Sequence, residues 1–85
     1  MSDTIVLRDS FALDDRTFTV LAEPWFDAAS DEWRGRLLFV PLDRSLPHTV
    51  STGPVRRTPS RDELVRWLRD VSDRDLARAL RAVLA

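Results

Sequence analysis

The 85-residue sequence contains no cysteine, lysine, asparagine, glutamine or tyrosine. Without cysteine, disulfides, thiolate metal sites and thiol nucleophiles are excluded. All 13 basic residues are arginine, and the missing residue types other than cysteine have A/T-rich codons, which is typical of a protein from a high-GC bacterial genome. Selection of arginine for bidentate contacts is the alternative explanation. The use of arginine at any one position therefore carries little functional information.

Histidine and glycine are too scarce for the common catalytic and cofactor motifs. His48 is the only histidine, and no serine lies in a Gly-x-Ser-x-Gly elbow. Two glycines, Gly35 and Gly53, cannot build a phosphate-cradling loop or a dinucleotide fingerprint. Carboxylates such as Asp14 and Asp43 lie in polar turns, where carboxylates are common and do not indicate an acid–base pair. The sequence therefore predicts no enzyme, no cofactor and no metal site.

Long hydrophobic runs are also missing. The longest apolar stretch, Leu37–Leu42, is far too short to span a membrane. The N-terminus lacks the basic start and apolar run of a signal peptide, so we expect a cytoplasmic protein without membrane contact. The hydrophobic share of 44% and the charged share of 32% are typical of a globular chain, and the length allows a single small domain over residues 1–85.

The first half of the chain reads as β-strands. Alternating and β-branched patterns predict a strand at each of four places, the last of them a weak edge strand: Thr4–Arg8, Thr17–Glu23, Arg34–Leu42 and Thr49–Thr52. Ser10–Arg16 is interpreted as a turn. Pro24 is expected to end the second strand because it lacks an amide donor, which makes Trp25–Trp33 a connection.

The last part of the chain predicts two short amphipathic helices. Ser60 and Glu63 have the spacing of a capping box, and Ser72 with Asp75 repeats the signal in weaker form. Apolar residues follow each cap at helical spacing, with a bend near Val71. One kinked helix is the alternative.

Together these patterns predict an α+β fold. Three or four antiparallel strands form a β-meander over about residues 4–55, and a helical pair over about residues 60–85 packs on one sheet face. A small half-open barrel is the competing arrangement.

The third predicted strand is apolar on both of its sides. Leu37–Leu42 does not alternate with polar residues, although an antiparallel sheet with one wet face should do so. The helices can cover only one face, so the other is closed either by curling of the sheet together with an aromatic lid from Trp25–Trp33 or by another protein chain. The candidate interaction residues are Trp25, Phe26, Trp33, Leu38, Val40 and Leu42.

Arginine clusters suggest a second class of function. Arg56 and Arg57 precede the first helix, and Arg74, Arg78 and Arg81 recur on one side of the second. Such a stripe could follow a phosphate backbone. However, the net charge is −1 and acids are interleaved with the arginines, so a solvated helix face is the simpler interpretation.

These observations favour a small non-enzymatic protein-interaction or self-associating module. It would act as an accessory or regulatory subunit of a larger bacterial assembly, and its partner would be another protein chain or a second copy of itself. Nucleic-acid binding through the five arginines is the alternative function.

Overall fold

The computed structural model describes residues 4–42 and 48–84, so Asp43 lies outside the described residues. Five strands and two helices follow one another in the described chain. They are β1 (Ile5–Leu13), β2 (Arg16–Asp27), β3 (Glu32–Pro41), β4 (Val50–Ser51), β5 (Arg56–Thr58), α1 (Arg61–Arg69) and α2 (Asp73–Leu84). The predicted α+β class is confirmed.

The strands form an antiparallel sheet in the order β1-β2-β3-β4, and β5 pairs with β3 beside β4. The path is open, so the sheet is not a closed barrel. Asp14 and Asp31, in the two hairpin turns, have φ values of 56° and 57°. Aspartate tolerates this left-handed conformation better than most residues, which suits it to tight turns.

The two helices begin at the predicted serines. The Ser60 hydroxyl accepts a hydrogen bond from the Glu63 amide at 3.2 Å, and the Ser72 hydroxyl accepts one from the Asp75 amide at 3.1 Å. Each bond satisfies an amide that has no partner within its helix. The chain bends between Asp70 and Ser72, so two helices are confirmed and the single kinked helix is wrong.

Both helices pack on one face of the sheet, which we call the inner face. Phe18 and Phe39, on β2 and β3, have no accessible surface and meet edge to face with their ring centroids 6.2 Å apart. Aromatic pairs favour this geometry. Fully buried leucines from both helices complete the same cluster: Leu64, Leu68, Leu76 and Leu80. Their burial is the main stabilising contribution, because each large apolar side chain removed from water contributes about 1.5–3 kcal/mol.

One arginine connects the first strand to the bend between the helices. Arg8 donates to the backbone carbonyl of Val71 at 2.8 Å and to Asp73 Oδ1 at 3.0 Å. The carbonyl of Val71, at the end of the first helix, thereby gains a partner. This contact fixes the helical pair against the edge of the sheet.

Several predicted strand ends are wrong. Pro24 does not end β2 but lies inside it, opposite Gly35 on β3. The pairing of β1 ends at Ile5–Ala22, so Pro24 is not required to donate on that side. The connection predicted at Trp25–Trp33 is instead the end of a long hairpin, whose turn spans only residues 28–31.

Two further differences concern shorter segments. The turn predicted at Ser10–Arg16 is confined to Asp14 and Asp15, because Phe11 and Leu13 continue the buried alternation of β1. The strand β5 was not predicted, since it has only three residues and lies between Pro54 and Pro59. The weak edge strand is confirmed as the two-residue β4.

Candidate interaction surface

The face of the sheet opposite the helices, the outer face, carries a group of apolar side chains. Val6 lies opposite Leu21 on the neighbouring strand, and Leu21 lies opposite Leu38 on the next. No helix or strand within residues 4–42 and 48–84 packs over them. Val6 and Leu42 are each 56% exposed. We call this group the outer apolar patch; its members are Val6, Leu21, Leu38, Val40 and Leu42.

The rest of the outer face, toward the β2–β3 turn, is charged but balanced. It holds three acids and three arginines, each acid beside an arginine. The pairs are Arg36 Nη2–Glu23 Oε1 at 2.7 Å, Arg34 Nε–Asp27 Oδ2 at 3.0 Å and Arg57 Nε–Glu32 Oε2 at 4.0 Å. We call these six side chains the ion-pair cluster. Because its formal charges cancel, this half of the face presents little net potential to a partner.

The surroundings of Asp27 lower the pKa of its carboxyl group. A hydrogen bond from the Ser30 side chain lowers the pKa of Asp27 most, and the amide of Ala29, 3.0 Å from Asp27 Oδ1, lowers it further. Arg34 acts in the same direction, while partial desolvation of the carboxyl opposes it. Asp27 is therefore held ionised at the start of the hairpin turn, where it also orders the backbone.

The six predicted interaction residues do not form one surface. Trp25 lies on the outer face, opposite Arg34, on the same side as Leu38, Val40 and Leu42. Phe26 and Trp33 lie opposite each other on the inner face, their ring centroids 5.7 Å apart. An aromatic lid is therefore not formed by the described residues, because these side chains belong to two strands of the sheet itself.

Sequence reasoning missed two members of the outer apolar patch, Val6 and Leu21. On its side of β2, Leu21 follows two threonines. The alternation of the sequence therefore predicts that this side faces solvent. Its apolar character matters only once the register brings it opposite Leu38. Val6 could not have been placed either, since two register shifts interrupt the pairing of β1 with β2.

The five predicted nucleic-acid residues are also dispersed. The guanidinium of Arg56 lies over the ring of Trp67 on α1, 5.3 Å from its centroid, whereas Arg57 approaches Glu32 of the ion-pair cluster. On α2, Arg81 lies 3.8 Å from Asp14. The other two, Arg74 and Arg78, are exposed on the same helix.

One open groove in the described part of the chain brings three arginines together. It has a volume of about 490 Å³ and is lined by Arg34, Arg56 and Arg57 with Pro54 and Val55. Arg34 and Arg57 already pair with acids of the ion-pair cluster. The groove therefore offers an anion less free positive charge than its three arginines suggest.

The described residues offer no group of three or more metal-ligating side chains, and His48 is exposed. Neither α1 nor α2, with nine and twelve residues, is long enough to cross a bilayer. The candidate surface is thus defined by burial, strand register and charge. In comparisons with protein-family models, curated proteins and solved structures, no match to this chain was found.

Proposed function

We propose that this protein is a small protein-binding module that uses the outer face of its sheet as the contact surface. The observation that carries the proposal is the outer apolar patch, which nothing in the described residues covers. Exposure of a contiguous apolar surface to water is unfavourable in free energy, and such surfaces are frequent at protein interfaces. An accessory or regulatory subunit in the cytoplasm, without catalytic activity, fits these properties.

The physical gain from covering the patch supports this proposal. Each Å² of apolar surface that a partner removes from water contributes about 25 cal/mol. Two of the five patch side chains, Val6 and Leu42, are more than half exposed, so much of that gain is still unrealised in the isolated chain. The half-buried Leu38 lies at the centre of the patch, where binding energy tends to concentrate.

Nucleic-acid binding receives less support from the geometry. A backbone-tracking surface needs several unneutralised cations on one side of the molecule. Here Arg56 packs on an aromatic ring, and Arg57 and Arg81 lie near acids. Of the five arginines, this leaves Arg74 and Arg78, which are exposed on α2. The chain as a whole carries a net charge of −1.

Site-specific photo-crosslinking in cells that make the protein tests the proposal. A benzophenone amino acid would replace Val40 on the outer face, and in a matched control it would replace Arg78 on α2. We expect a defined adduct from position 40 and none from position 78. The adduct should disappear when Leu21→Asp is added, because that change places a charge inside the patch. Equal labelling at both positions, or no adduct at position 40, would contradict the proposal.

A further inference from the structure

We infer that the partner at the outer face is a second copy of this chain, packed sheet against sheet about a two-fold axis. This inference rests on the proposed function, since it assigns a partner to the same face. It is carried by the register of β2 and β3, which makes their outer side chains complementary to one another under such an axis.

The register places compatible side chains opposite one another on the two central strands. On the outer face, Leu21 lies opposite Leu38, Glu23 opposite Arg36, and Trp25 opposite Arg34. The first row is an apolar pair, the second is an ion pair of 2.7 Å, and the third places an aromatic ring opposite an arginine.

A two-fold axis that lies between the two sheets, passes over the row of Glu23 and Arg36, and is inclined by about 15° to β2 and β3 exchanges these two strands between copies. Each β2 of one copy then lies over β3 of the other. The side chain at position 23 faces Arg36 of the second copy, and Trp25 faces its Arg34. The pairings found within one sheet are thus repeated between the two sheets, which is the self-complementarity that an isologous interface requires.

One row of the hairpin is unlike the others, because Asp27 lies opposite Glu32 and both are acids. Aligned sheets cross at about 30°, so strands that overlie near the centre diverge toward the ends. Asp27 is four residues from Glu23 at the centre, so the crossing displaces the strands there by about 7 Å, which exceeds the spacing of neighbouring strands. The two acidic rows therefore do not overlie, and their own arginines stay with them.

The area of the face is consistent with a weak, reversible dimer when both of its halves take part. The outer apolar patch alone, whose five side chains each cover roughly 32 Å² of the sheet, would bury about 320 Å² over two copies, which is within the range of crystal contacts. The whole face, about three strands wide and ten residues long because β4 and β5 are short, would bury about 950 Å², which is close to the roughly 1,000 Å² at the lower end for a specific interface. The balanced ion-pair cluster permits this extension, because two copies of it do not repel.

Association through sheet edges fits the chain less well. The long edge strand, β1, contains two register shifts, and such irregularities hinder the addition of another strand. On the opposite side, β4 and β5 have only two and three residues. Face-to-face packing is therefore the arrangement that these strands favour.

A charge-exchange experiment tests the inference. Sedimentation velocity of the wild-type protein from about 10 to 500 µM should show a monomer–dimer equilibrium. Glu23→Arg and Arg36→Glu should each weaken the dimer about tenfold or more, because each places like charges in both symmetry-related contacts. An equimolar mixture of the two variants should recover the dimer. Within each chain the two charges remain alike, so the recovery reports contacts between chains.

Controls separate the interface from folding. Arg78→Glu, a charge reversal on α2, should leave the dimer unchanged, and circular dichroism should show that all variants fold. If the charge variants fail to fold, Leu38→Ser is the milder test, with the half-exposed Val83→Ser on α2 as its match. The dimer should weaken in the first and persist in the second.

Two results would overturn the inference. One is a wild-type monomer at every concentration, and the other is a dimer that neither the charge reversals nor Leu38→Ser weakens. In both cases a position-40 crosslink to a protein of different mass would still support the proposed function. The absence of any crosslink would count against the proposed function as well.

Discussion

Gly35 of β3 lies against Leu64 of α1 so closely that a Cβ atom at position 35 would be 3.2 Å from Leu64 Cδ1. Leu64 and its neighbour Leu68 have no accessible surface, so they have little room to move aside. We expect Gly35→Val to lower the free energy of unfolding by about 1–3 kcal/mol through overpacking. Urea denaturation monitored by tryptophan fluorescence measures this change.

The other glycine provides the matched control. A Cβ atom at Gly53 would meet no atom within 4 Å, and its backbone does not adopt a positive φ. Gly53→Ala should therefore leave stability unchanged or raise it by up to about 1 kcal/mol, since alanine restricts the unfolded chain. Equal destabilisation by both substitutions would show that close packing of α1 is not what requires glycine at position 35.

Thr52 supplies a buried hydroxyl that completes the hydrogen bonding of β3. Its Oγ1 accepts from the amide of Leu37 at 3.0 Å and donates to the carbonyl of Gly53 at 2.8 Å. Thr52→Val keeps the shape but leaves the Leu37 amide without this acceptor, so we expect a loss of about 1–3 kcal/mol. Thr52→Ser should retain most of the stability. If the two variants denature at the same urea concentration, the hydroxyl contributes nothing.

Truncation of two neighbouring residues of β3 should reduce stability to different extents and with a different dependence on protein concentration. Phe39 is fully buried on the inner face, so Phe39→Ala should cost about 3–5 kcal/mol at any protein concentration. Leu38 faces outward, and Leu38→Ala should cost the monomer about 1 kcal/mol or less. The loss of stability that Leu38→Ala causes through the dimer should instead increase with protein concentration. Thermal melts at several concentrations distinguish the two behaviours.

The cap of α1 gives a prediction with a conservative rescue. The Ser60 hydroxyl accepts a hydrogen bond from the amide of Glu63. Ser60→Ala should therefore destabilise the protein by about 1 kcal/mol. Ser60→Asp should restore the loss, because an aspartate oxygen accepts the same amide and favours the helix N-terminus. Equilibrium unfolding in urea measures both. An aspartate variant as unstable as the alanine variant would argue against capping.

Asp27 predicts a stability difference that depends on pH. The contacts of its carboxylate lower its pKa in the folded state below the ordinary value of 3.8, so ionisation favours folding. This contribution is complete above the unfolded-state pKa and is lost as the pH falls through the folded-state pKa. Asp27→Asn should therefore be less stable than the wild type at pH 7, and the gap should narrow below pH 4. A gap that stays constant with pH would exclude the carboxylate charge as its cause.

The sequence was most informative where local patterns decide the structure. The two helices and their serine caps follow from spacing alone, since Ser60 and Glu63 interact within one helical turn. The two-sided apolar character of Leu37–Leu42 likewise indicated that one face of the sheet would lack cover. Both conclusions depend on residues close together in the chain.

Strand ends and the composition of the interaction surface depend on distant contacts. Proline usually ends a central strand, but Pro24 continues β2 because β1 does not extend beside it. The hypothesis of an aromatic lid places Trp25 and Phe26 together. Because both lie within β2, their side chains point to opposite faces of the sheet. Without the register, neither Leu21 nor the opposition of Glu23 and Arg36 could be placed on a common face.

The order of the elements along the chain has a consequence for biosynthesis. During translation the whole sheet leaves the ribosome before α1 and α2, whose leucines complete the inner core. The nascent sheet therefore exposes apolar side chains on both faces, a state prone to aggregation and to capture by chaperones. Slower translation between β5 and α1 would lengthen this exposure, and faster synthesis of the segment that contains α2 would shorten it.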